Sequence, residues 1–399
     1  MVSSKQCDFS PLVCLSDFER EARNILPRNA LNYYKSGADE EHTLADNVAA
    51  FRRLRLIPRV LRDVEGVSLQ GHAILGQIVS SPICVAPTAM QKMAHGQGEL
   101  ATARACAKKG TLMALSTLTT VALETIAEEV PTLHRWLQLY IYKDLEATLD
   151  VVRRAEKNGF SVVAVTVDTP FLGKRREDER HKFTLPSHLA LANFADQKND
   201  REMYKVEGGG GKEGGGGGGR SGLSKYVDVI QNHSLTWKHI AWLRSHTSMK
   251  IVLKGIHSGE DARLAVEAGV DAIWVSNHGG RQLDTVPATI EMLPDIVRAV
   301  RSAVAKKKGG AGSSGVEVFV DGGVRTGTDV LKALALGANA VFIGRPVLWG
   351  LACGGEEGVS RVLEILNEEL RLSMALSGCR TLSDVTKDLV RHQSSFSNL

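Results

Sequence analysis

The sequence contains no apolar run that approaches the roughly 18 residues of a membrane-spanning helix. Its first residues, MVSSKQCDFSPLVCLSDFE, also lack the apolar centre of a secretory signal peptide. Charge of neither sign dominates, because 49 basic and 45 acidic residues leave a formal net charge of +4. A balance this even indicates neither nucleic acid nor a membrane surface as a partner.

Paired cysteine spacings are also absent, so the sequence predicts no metal site. The six cysteines are scattered along the chain, at Cys7, Cys14, Cys84, Cys106, Cys353 and Cys379. We interpret them as reduced thiols of an intracellular protein. What is present is ordinary globular composition, since 43% of the 399 residues are hydrophobic and 24% are charged. A chain of this length and composition can bury a large core.

Eight short apolar runs alternate with helical stretches from residue 82 onward. The runs are continuously apolar, as expected for parallel strands that are covered on both faces. They are residues 82–89, 112–117, 134–142, 161–169, 250–256, 272–277, 317–323 and 340–346. Two of the intervening segments, 98–110 and 144–159, are amphipathic and end in a glycine that suits a helix C-terminus.

This alternation predicts an α/β fold of right-handed βαβ units. Eight units predict a closed (β/α)8 barrel, the TIM barrel. The alternative is an open doubly wound sheet, which is disfavoured because no G-x-G-x-x-G opens the first helix.

The remaining segments are expected to belong to one domain. Residues 1–81 form a helical N-terminal extension that packs on the barrel (82–372), and 373–399 form a C-terminal tail. Within the extension, Ser16 followed by Glu19 predicts a capped helix start.

Two glycine-rich stretches interrupt the repeat. The stretch 208–219 lies in the long connection 170–249 after the fourth strand, and we expect it to be mobile because glycine runs do not recover the entropy of ordering. A long loop on this face is often a lid, but a tolerated insertion explains the glycines themselves better. The stretch 306–315 is interpreted as a plain linker on the opposite face.

Polar or glycine residues stand at or just after the end of every predicted strand. They are Thr88, Ser116, Gln138, Tyr140, Thr166, Asp168, Lys254, Ser276, His278, Arg281, Asp321, Gly322, Gly323, Arg325, Gly344 and Arg345. A single residue of this kind is more often a satisfied core group than a ligand contact. A complete ring is hard to explain by packing, and the strand ends of barrels carry the active site.

The segments DGGVRTG and GRP, after the seventh and eighth strands, predict a phosphate site. Barrels commonly bind phosphate at this position. Glycine lets the backbone approach a ligand, and arginine binds phosphate oxygens with two parallel hydrogen bonds. A tight turn would explain DGG alone, but both segments together favour a phosphorylated ligand or cofactor.

The charged residues of the rim predict acid–base chemistry on an anionic substrate. Asp168 could hold His278 in one tautomer as a base. Arg281 and Arg175 could bind a substrate carboxylate. Lys254 is a charge inside an otherwise apolar strand run, and burial there is costly unless a negative group meets it.

Over nearly its whole length the chain resembles the FMN-dependent α-hydroxy-acid oxidases, which include glycolate oxidase and long-chain hydroxy-acid oxidase. The resemblance is carried by APTAMQKMAHGQGELATARA, WLQLYIYKD, TVDTPFLGKR, VSNHGGRQLD and VDGGVRTGTDVLKALALGANAVFIGRP. It implies FMN as the cofactor and an (S)-2-hydroxy acid as the substrate. The acid is oxidised to a 2-oxo acid, and O2 is reduced to hydrogen peroxide.

The resemblance also implies a role for each site residue. His278 takes the substrate proton, Asp168 stabilises the imidazolium, and Tyr140 bonds the substrate hydroxyl. The substrate carboxylate is bound by Arg175 and Arg281, with help from Tyr33. Lys254 lies near the pyrimidine end of the flavin and stabilises its anionic reduced form. The other cofactor contacts are Pro87, Thr88, Ala89, Ser116, Gln138, Thr166, Ser276, Asp321, Gly322, Gly323, Arg325, Gly344 and Arg345.

One departure from glycolate oxidases concerns the substrate pocket. Those enzymes have Ser-Ser-Trp where this chain has Ser116, Thr117 and Leu118. The smaller leucine predicts a preference for medium or long 2-hydroxy acids over glycolate.

Other functions remain open at this stage. They are a dehydrogenase that passes electrons to a cytochrome or quinone, an inactive flavin-binding protein and a different phosphate-binding barrel such as an isomerase. The family resemblance further suggests a homotetramer, and the C-terminal Ser-Asn-Leu weakly resembles a peroxisomal signal.

Overall fold

The computed structural model describes residues 8–194, 227–228, 230–307 and 315–396. The glycine stretch 208–219, the C-terminal Ser-Asn-Leu and Cys7 lie outside the described residues, as does most of the predicted linker 306–315. The predictions made for these segments therefore stay predictions.

Helices and strands alternate through most of the described chain. The helices are α1 Leu15–Ile25, α2 Arg28–Lys35, α3 His42–Arg53, α4 Glu99–Lys108, α5 Leu123–Glu129, α6 Leu145–Lys157, α7 Arg176–Arg180, α8 Trp237–Arg244, α9 Gly259–Glu267, α10 Thr289–Lys307, α11 Gly327–Ala335 and α12 Arg345–Leu376. The strands are β1 Leu54–Leu56, β2 His72–Ile74, β3 Gln77–Val79, β4 Ile83–Val85, β5 Leu112–Leu115, β6 His134–Leu139, β7 Val162–Thr166, β8 Lys250–Ile256, β9 Ala272–Val275, β10 Glu317–Asp321, β11 Ala340–Ile343 and β12 Val390–His392. None of the helices in the described ranges is long and apolar enough to cross a membrane.

Strands β4 to β11 form a closed parallel barrel in chain order, which confirms the predicted fold. The ring closes where β11 pairs with β4, with Val341 opposite Ile83. All eight predicted runs contain a strand, but most strands are shorter than predicted. Most strands are shorter than the apolar runs mainly because the last residues of each run leave the sheet and form the rim of the barrel.

Aromatic side chains fill the inside of the barrel. Trp136, Trp274, Phe319 and Phe342 are fully buried there, and the ring centroids of Trp274 and Phe342 are 3.9 Å apart. The barrel is therefore a packed core rather than a pore, as small barrels generally are. Any ligand must bind above this layer, at the carboxyl ends of the strands.

The helix ends confirm some predicted signals and correct one. Gly110 and Gly159 follow α4 and α6 with φ of 60° and 73°, as expected of C-terminal glycines. The predicted start of α1 at Ser16 with Glu19 is wrong. The N-cap is Cys14, and the carboxylate of Asp17 accepts hydrogen bonds from the backbone N–H groups of Val13 (3.0 Å) and Cys14 (3.2 Å).

Helix α12 is interrupted by two glycines, and its two halves approach each other closely. Gly355 has φ 57° and ψ −131°, which no helix tolerates. A Cβ atom on Gly358 would overlap the carbonyl oxygen of Gly350. Glycine at 358 is therefore required by this close approach rather than by its own backbone angles.

We predict that Gly358→Ala lowers the free energy of unfolding by about 1–3 kcal/mol, because overpacked interiors cost that much. The midpoint of urea unfolding measures the effect. Gly96→Ala is the matched control, since a Cβ there meets nothing within 4 Å. Equal midpoints for the two variants would contradict the described packing of α12.

Candidate functional site

His278 lies in the turn after β9, and the backbone angles of this turn are unusual. His278, Gly279 and Gly280 have φ values of 56°, 67° and 75°, so three consecutive residues are left-handed. A Cβ on Gly280 would lie 2.7 Å from the Cα of Leu44 in α3. The two glycines between His278 and Arg281 thus let the turn pass close against the N-terminal extension.

A reciprocal pair of buried amides holds this turn. Asn277 and Asn47 donate to each other's side-chain oxygens at 2.8 and 2.9 Å. The Asn277 oxygen also accepts the N–H of Gly280 at 3.2 Å. The pair offsets the strain of a left-handed histidine, which costs on the order of 1–3 kcal/mol.

His278 is paired with the buried Asp168. The Nδ1 atom of His278 lies 2.9 Å from Oδ1 of Asp168, and the hydroxyl of Thr169 donates to the same oxygen at 3.0 Å. Burial raises the pKa of Asp168, but the charge and hydrogen bond of His278 and the charge of Lys254 outweigh it and lower that pKa to about 2. An ionised carboxylate requires the hydrogen of the ring on Nδ1, so Nε2 is left as the acceptor.

The pKa of His278 is held below its usual value. Burial has the largest effect, and the charges of Lys254 and Arg175 add to it, while Asp168 acts in the opposite direction. A histidine that is neutral near pH 7 can accept a proton. The geometry therefore suits His278 to the role of a general base.

Two arginines lie on the same wall of the cleft as His278. Arg281 donates to the carbonyls of Tyr33 (2.7 Å) and Ser36 (2.9 Å), and its guanidinium lies 4.9 Å from the centre of the Tyr33 ring. Arg175 is 5% exposed, and burial followed by the charge of Arg281 lowers its pKa to about 10. In the described part of the chain neither arginine has a hydrogen-bonded carboxylate, so an anion is expected to bind here.

Asp178 is a buried acid near this wall that the sequence analysis did not single out. It is 3% exposed, and its Oδ2 lies 3.9 Å from Nη1 of Arg175. Burial raises its pKa. In the sequence, only the position of Asp178 three residues after Arg175 indicates that the two side chains could lie close together.

The hydroxyl of Tyr140 is available to a ligand. No hydrogen bond joins it to another of the described residues, and the side chain lines the cleft. Burial raises the pKa of Tyr140 well above the usual range. The hydroxyl therefore keeps its hydrogen and can donate it.

Lys254 meets the negative group that its burial requires. Its Nζ donates to the hydroxyl of Ser276 at 2.8 Å and lies 3.4 Å from Oδ2 of Asp321. Ser276 donates in turn to Oδ1 of Asp321 at 2.7 Å. Asp321 therefore serves Lys254 as well as lining the cleft.

The arginines of the predicted phosphate site are also buried cations. Arg345 donates to the carbonyls of Tyr34 (2.9 Å), Gly279 (2.9 Å) and Ser36 (3.0 Å). Burial, and then the charges of Arg281 and Arg325, lower its pKa to about 9. Burial also lowers the pKa of Arg325. Within the described ranges neither residue forms an ion pair, and α12 begins at Arg345, where its N–H groups favour an anion.

The glycines of DGG also have a packing role that was not predicted from the sequence. A Cβ on Gly323 would overlap the backbone carbonyl of Asn47, and a Cβ on Gly322 would lie 2.9 Å from the Thr289 hydroxyl. Close packing of α3 and α10 therefore requires glycine at both positions. Both residues still line the cleft.

The structure brings nearly all the predicted site residues to one cleft. Asp168 and Ser276 are the exceptions, because they stand behind its wall and bond residues that line it. The residues that the sequence analysis missed include Tyr34, Thr169, Leu172, Val227, Ile230 and Gln231. The last three lie within the long connection 170–249 after β7, where no pattern in the sequence indicates that the chain returns to the cleft.

The lining of the cleft fits a phosphorylated cofactor and an anionic substrate. With the space at its open mouth included, the cleft encloses about 1280 Å³. Arg325 and Arg345, which form no ion pair among the described residues, fit the phosphate of FMN. The base and the other two arginines fit a second, anionic ligand.

We predict that Asp321→Asn lowers the free energy of unfolding by about 3 kcal/mol or more, because it leaves Lys254 buried without its counter-charge. Urea unfolding measures the loss. Asp295→Asn breaks an exposed pair with Arg298 and should cost about 1 kcal/mol or less. If both variants lose the same small free energy of unfolding, the ion pair between Asp321 and Lys254 does not contribute to stability.

Comparison with known proteins agrees with this geometry. The family model described as FMN-dependent dehydrogenase matches residues 22–392. The chain is 53% identical to mouse and human 2-hydroxyacid oxidase 1 over 380 residues, which is 95% of this chain and 96% of each relative. It is 46% identical to spinach glycolate oxidase, with 94% of each chain covered.

A solved structure agrees as well. Mandelate oxidase with (S)-4-hydroxymandelic acid superimposes with a TM-score of 0.83 at 40% identity, covering 95% of this chain and 98% of that one. These similarities confirm the resemblance seen in the sequence, and FMN as the cofactor. The chain belongs to the FMN-dependent dehydrogenase family.

Proposed function

We propose that this protein oxidises an (S)-2-hydroxy acid to the corresponding 2-oxo acid, with O2 as the electron acceptor and hydrogen peroxide as the second product. The observation that carries the proposal is one neutral base, His278, on the same cleft wall as two arginines without carboxylate hydrogen bonds. The names of the relatives, which are hydroxyacid, glycolate and mandelate oxidases, support the substrate class and the acceptor. The (S) configuration has support from the mandelate oxidase ligand.

The substrate is bound through its carboxylate and its hydroxyl. Arg175 and Arg281 pair with the carboxylate, with Tyr33 beside Arg281, and Tyr140 donates to the substrate oxygen. His278 accepts the substrate proton on Nε2, and Asp168 stabilises the imidazolium that results. FMN held in the cleft would supply the two-electron oxidant: it would accept the two electrons and the second hydrogen of the substrate, and O2 would re-oxidise it with formation of hydrogen peroxide.

The cofactor would be held along the rest of the rim. Lys254 would bring a positive charge to the pyrimidine end of the ring, and Arg325 and Arg345 would bind the phosphate. The ribityl chain would contact Asp321, Gly322, Gly323 and Gly344. The ring would contact a further group of residues that line the cleft, Pro87, Thr88, Ala89, Ser116, Gln138 and Thr166.

An anaerobic absorbance spectrum tests the reaction directly. The flavin band should bleach when (S)-2-hydroxyoctanoate is added without oxygen, and it should return with peroxide when air is admitted. Bleaching without rapid return would refute O2 as the acceptor and favour a protein acceptor. A band indifferent to every 2-hydroxy acid would refute the proposed reaction.

The substrate side chain is proposed to be medium or long. Leu118 is 7% exposed and lines the cleft, as do the apolar residues Leu172, Val227 and Ile230. Each methylene of a substrate that is buried against this apolar surface favours binding. Glycolate has no side chain, so it cannot make these apolar contacts.

Assembly, location and domain organisation are further parts of the proposal. A homotetramer has support only from the family resemblance, and sedimentation equilibrium would test it. Peroxisomal location has support only from the C-terminal Ser-Asn-Leu, and deletion of that tripeptide should release the protein to the cytosol. The single domain has support from one apolar core that runs from Leu12 to Val390, and limited proteolysis would test it.

We predict that Asp168→Asn lowers kcat/KM by roughly 10²–10⁴-fold, because the amide no longer fixes the tautomer or stabilises the imidazolium. FMN absorbance of the purified variant should be retained, since Asp168 does not line the cleft. Thr169→Val is the control, because it removes a hydroxyl that donates to Asp168 and lies 3.3 Å from Nδ1 of His278, but it keeps the carboxylate–imidazole pair itself. It should cost less than about tenfold, and a similarly small loss in Asp168→Asn would refute the role of the pair.

We predict that Leu118→Trp shifts substrate preference toward glycolate. The larger ring fills the apolar space, so kcat/KM for (S)-2-hydroxyoctanoate should fall at least roughly tenfold relative to that for glycolate. Leu118→Ile keeps the side-chain volume and should leave the ratio nearly unchanged. A wild-type enzyme that prefers glycolate would refute the proposed chain-length preference.

A further inference from the structure

A chain of buried polar side chains lies directly behind Thr88, at the end of β4. Gln91 is fully buried, and its amide nitrogen lies 2.9 Å from the Thr88 hydroxyl oxygen and 3.4 Å from the Thr88 carbonyl oxygen. On the other side of the amide, the hydroxyl of Thr102 lies 2.6 Å from the Gln91 oxygen.

These contacts fix which way the Gln91 amide points. The carbonyl oxygen of Thr88 can only accept, so the amide NH2 group must face Thr88. The amide oxygen then faces Thr102, whose hydroxyl can donate to it. The opposite orientation would place two oxygens without a hydrogen between Gln91 and the Thr88 carbonyl.

A buried carboxylate anchors the backbone of Gln91. Glu99 is fully buried at the start of α4, and its Oε1 accepts the N–H groups of Gln91 and Thr120, both at 2.9 Å. Its Oε2 accepts the Thr120 hydroxyl at 2.7 Å. Glu99 forms no ion pair within the described residues, so these hydrogen bonds are what compensate its burial.

This arrangement restricts the direction in which the hydroxyl of Thr88 can donate its hydrogen. Its hydroxyl oxygen accepts from Gln91, and no described residue accepts its hydrogen. Thr88 is half-buried and lines the cleft. The free O–H therefore points to whatever the cleft holds.

We infer that Gln91 is a positioning residue that makes Thr88 present a hydrogen-bond donor to the bound FMN. The inference rests on the proposed contact between Thr88 and the flavin ring. The N1 and N5 nitrogens and the carbonyl oxygens of an oxidised flavin are acceptors, so a fixed donor that faces one of them stabilises the bound cofactor, whereas a lone pair would repel it. Gln91 itself does not line the cleft.

A double-mutant cycle on FMN affinity tests this role. Gln91→Met keeps the shape of the side chain but removes the donor, and Thr88→Val removes the hydroxyl. Each should weaken FMN binding by roughly three- to tenfold, the range expected for one hydrogen bond. The double variant should bind no more weakly than either single variant, because both remove the same interaction.

The absorption spectrum supplies a second readout. Both single variants should shift the visible band of bound FMN in the same direction, and the double variant should shift it no further. Gln97→Met is the matched control, since Gln97 is exposed and outside the network. It should leave affinity and spectrum unchanged.

Two outcomes would overturn the inference. One is a loss of FMN affinity by Gln91→Met that is as large in the Thr88→Val background as in the wild type, because Gln91 would then act through packing. The other is wild-type affinity in either single variant.

If Gln91→Met does not fold, Thr102→Val is the substitute variant, because it removes the donor that orients the Gln91 amide. It should cause a smaller loss of FMN affinity, and that loss should be absent in the Thr88→Val background. FMN binding is measured without a hydroxy acid, so a protein that binds FMN but oxidises nothing would refute the proposed reaction and leave this result standing.

Discussion

Buried positive charge at one end of the barrel is the constraint on which the site depends. Arg175 and Arg345 have pKa values lowered first by burial and then by neighbouring arginines. Cations that repel one another in a dry cleft are costly unless anions bind there. These charges therefore favour anionic ligands, and the proposed function supplies two, a phosphate and a carboxylate. The charges of Lys254 and Arg175 also oppose protonation of His278.

The N-terminal extension is what makes this charge tolerable. Backbone carbonyls of Tyr33, Tyr34 and Ser36 accept hydrogen bonds from Arg281 and Arg345. Carbonyls satisfy guanidinium donors without cancelling their charge, so the cations stay available to ligands. The extension also passes close to the barrel at Gly280 and Gly323, where a side chain would collide with α3. The left-handed turn at His278 is thus held from the barrel and from the extension together.

The periodicity of the chain was sufficient to predict the barrel and its rim, because buried parallel strands leave continuous apolar runs and their ends share one face. Contacts between distant segments were not predictable in the same way. The resemblance implied that Ser276 contacts the cofactor, which stays a prediction, but nothing in the sequence indicated that its hydroxyl links Lys254 to Asp321. The sequence explained Gly323 by the approach of a ligand and did not indicate its close contact with the Asn47 carbonyl. It also favoured Ser16 over Cys14 as a helix cap, because residue type alone does not show which carboxylate reaches back.

The dependence of kcat/KM on pH tests most directly whether buried positive charge governs the site. His278 acts as a base only when neutral, so activity is lost as the pH falls through its pKa. Because burial and the charges of Lys254 and Arg175 hold that pKa below the ordinary 6.5, the acidic limb measured with (S)-2-hydroxyoctanoate should lie below pH 6.5. A limb at or above pH 6.5 would mean that Asp168 outweighs the cations, and it would contradict the account.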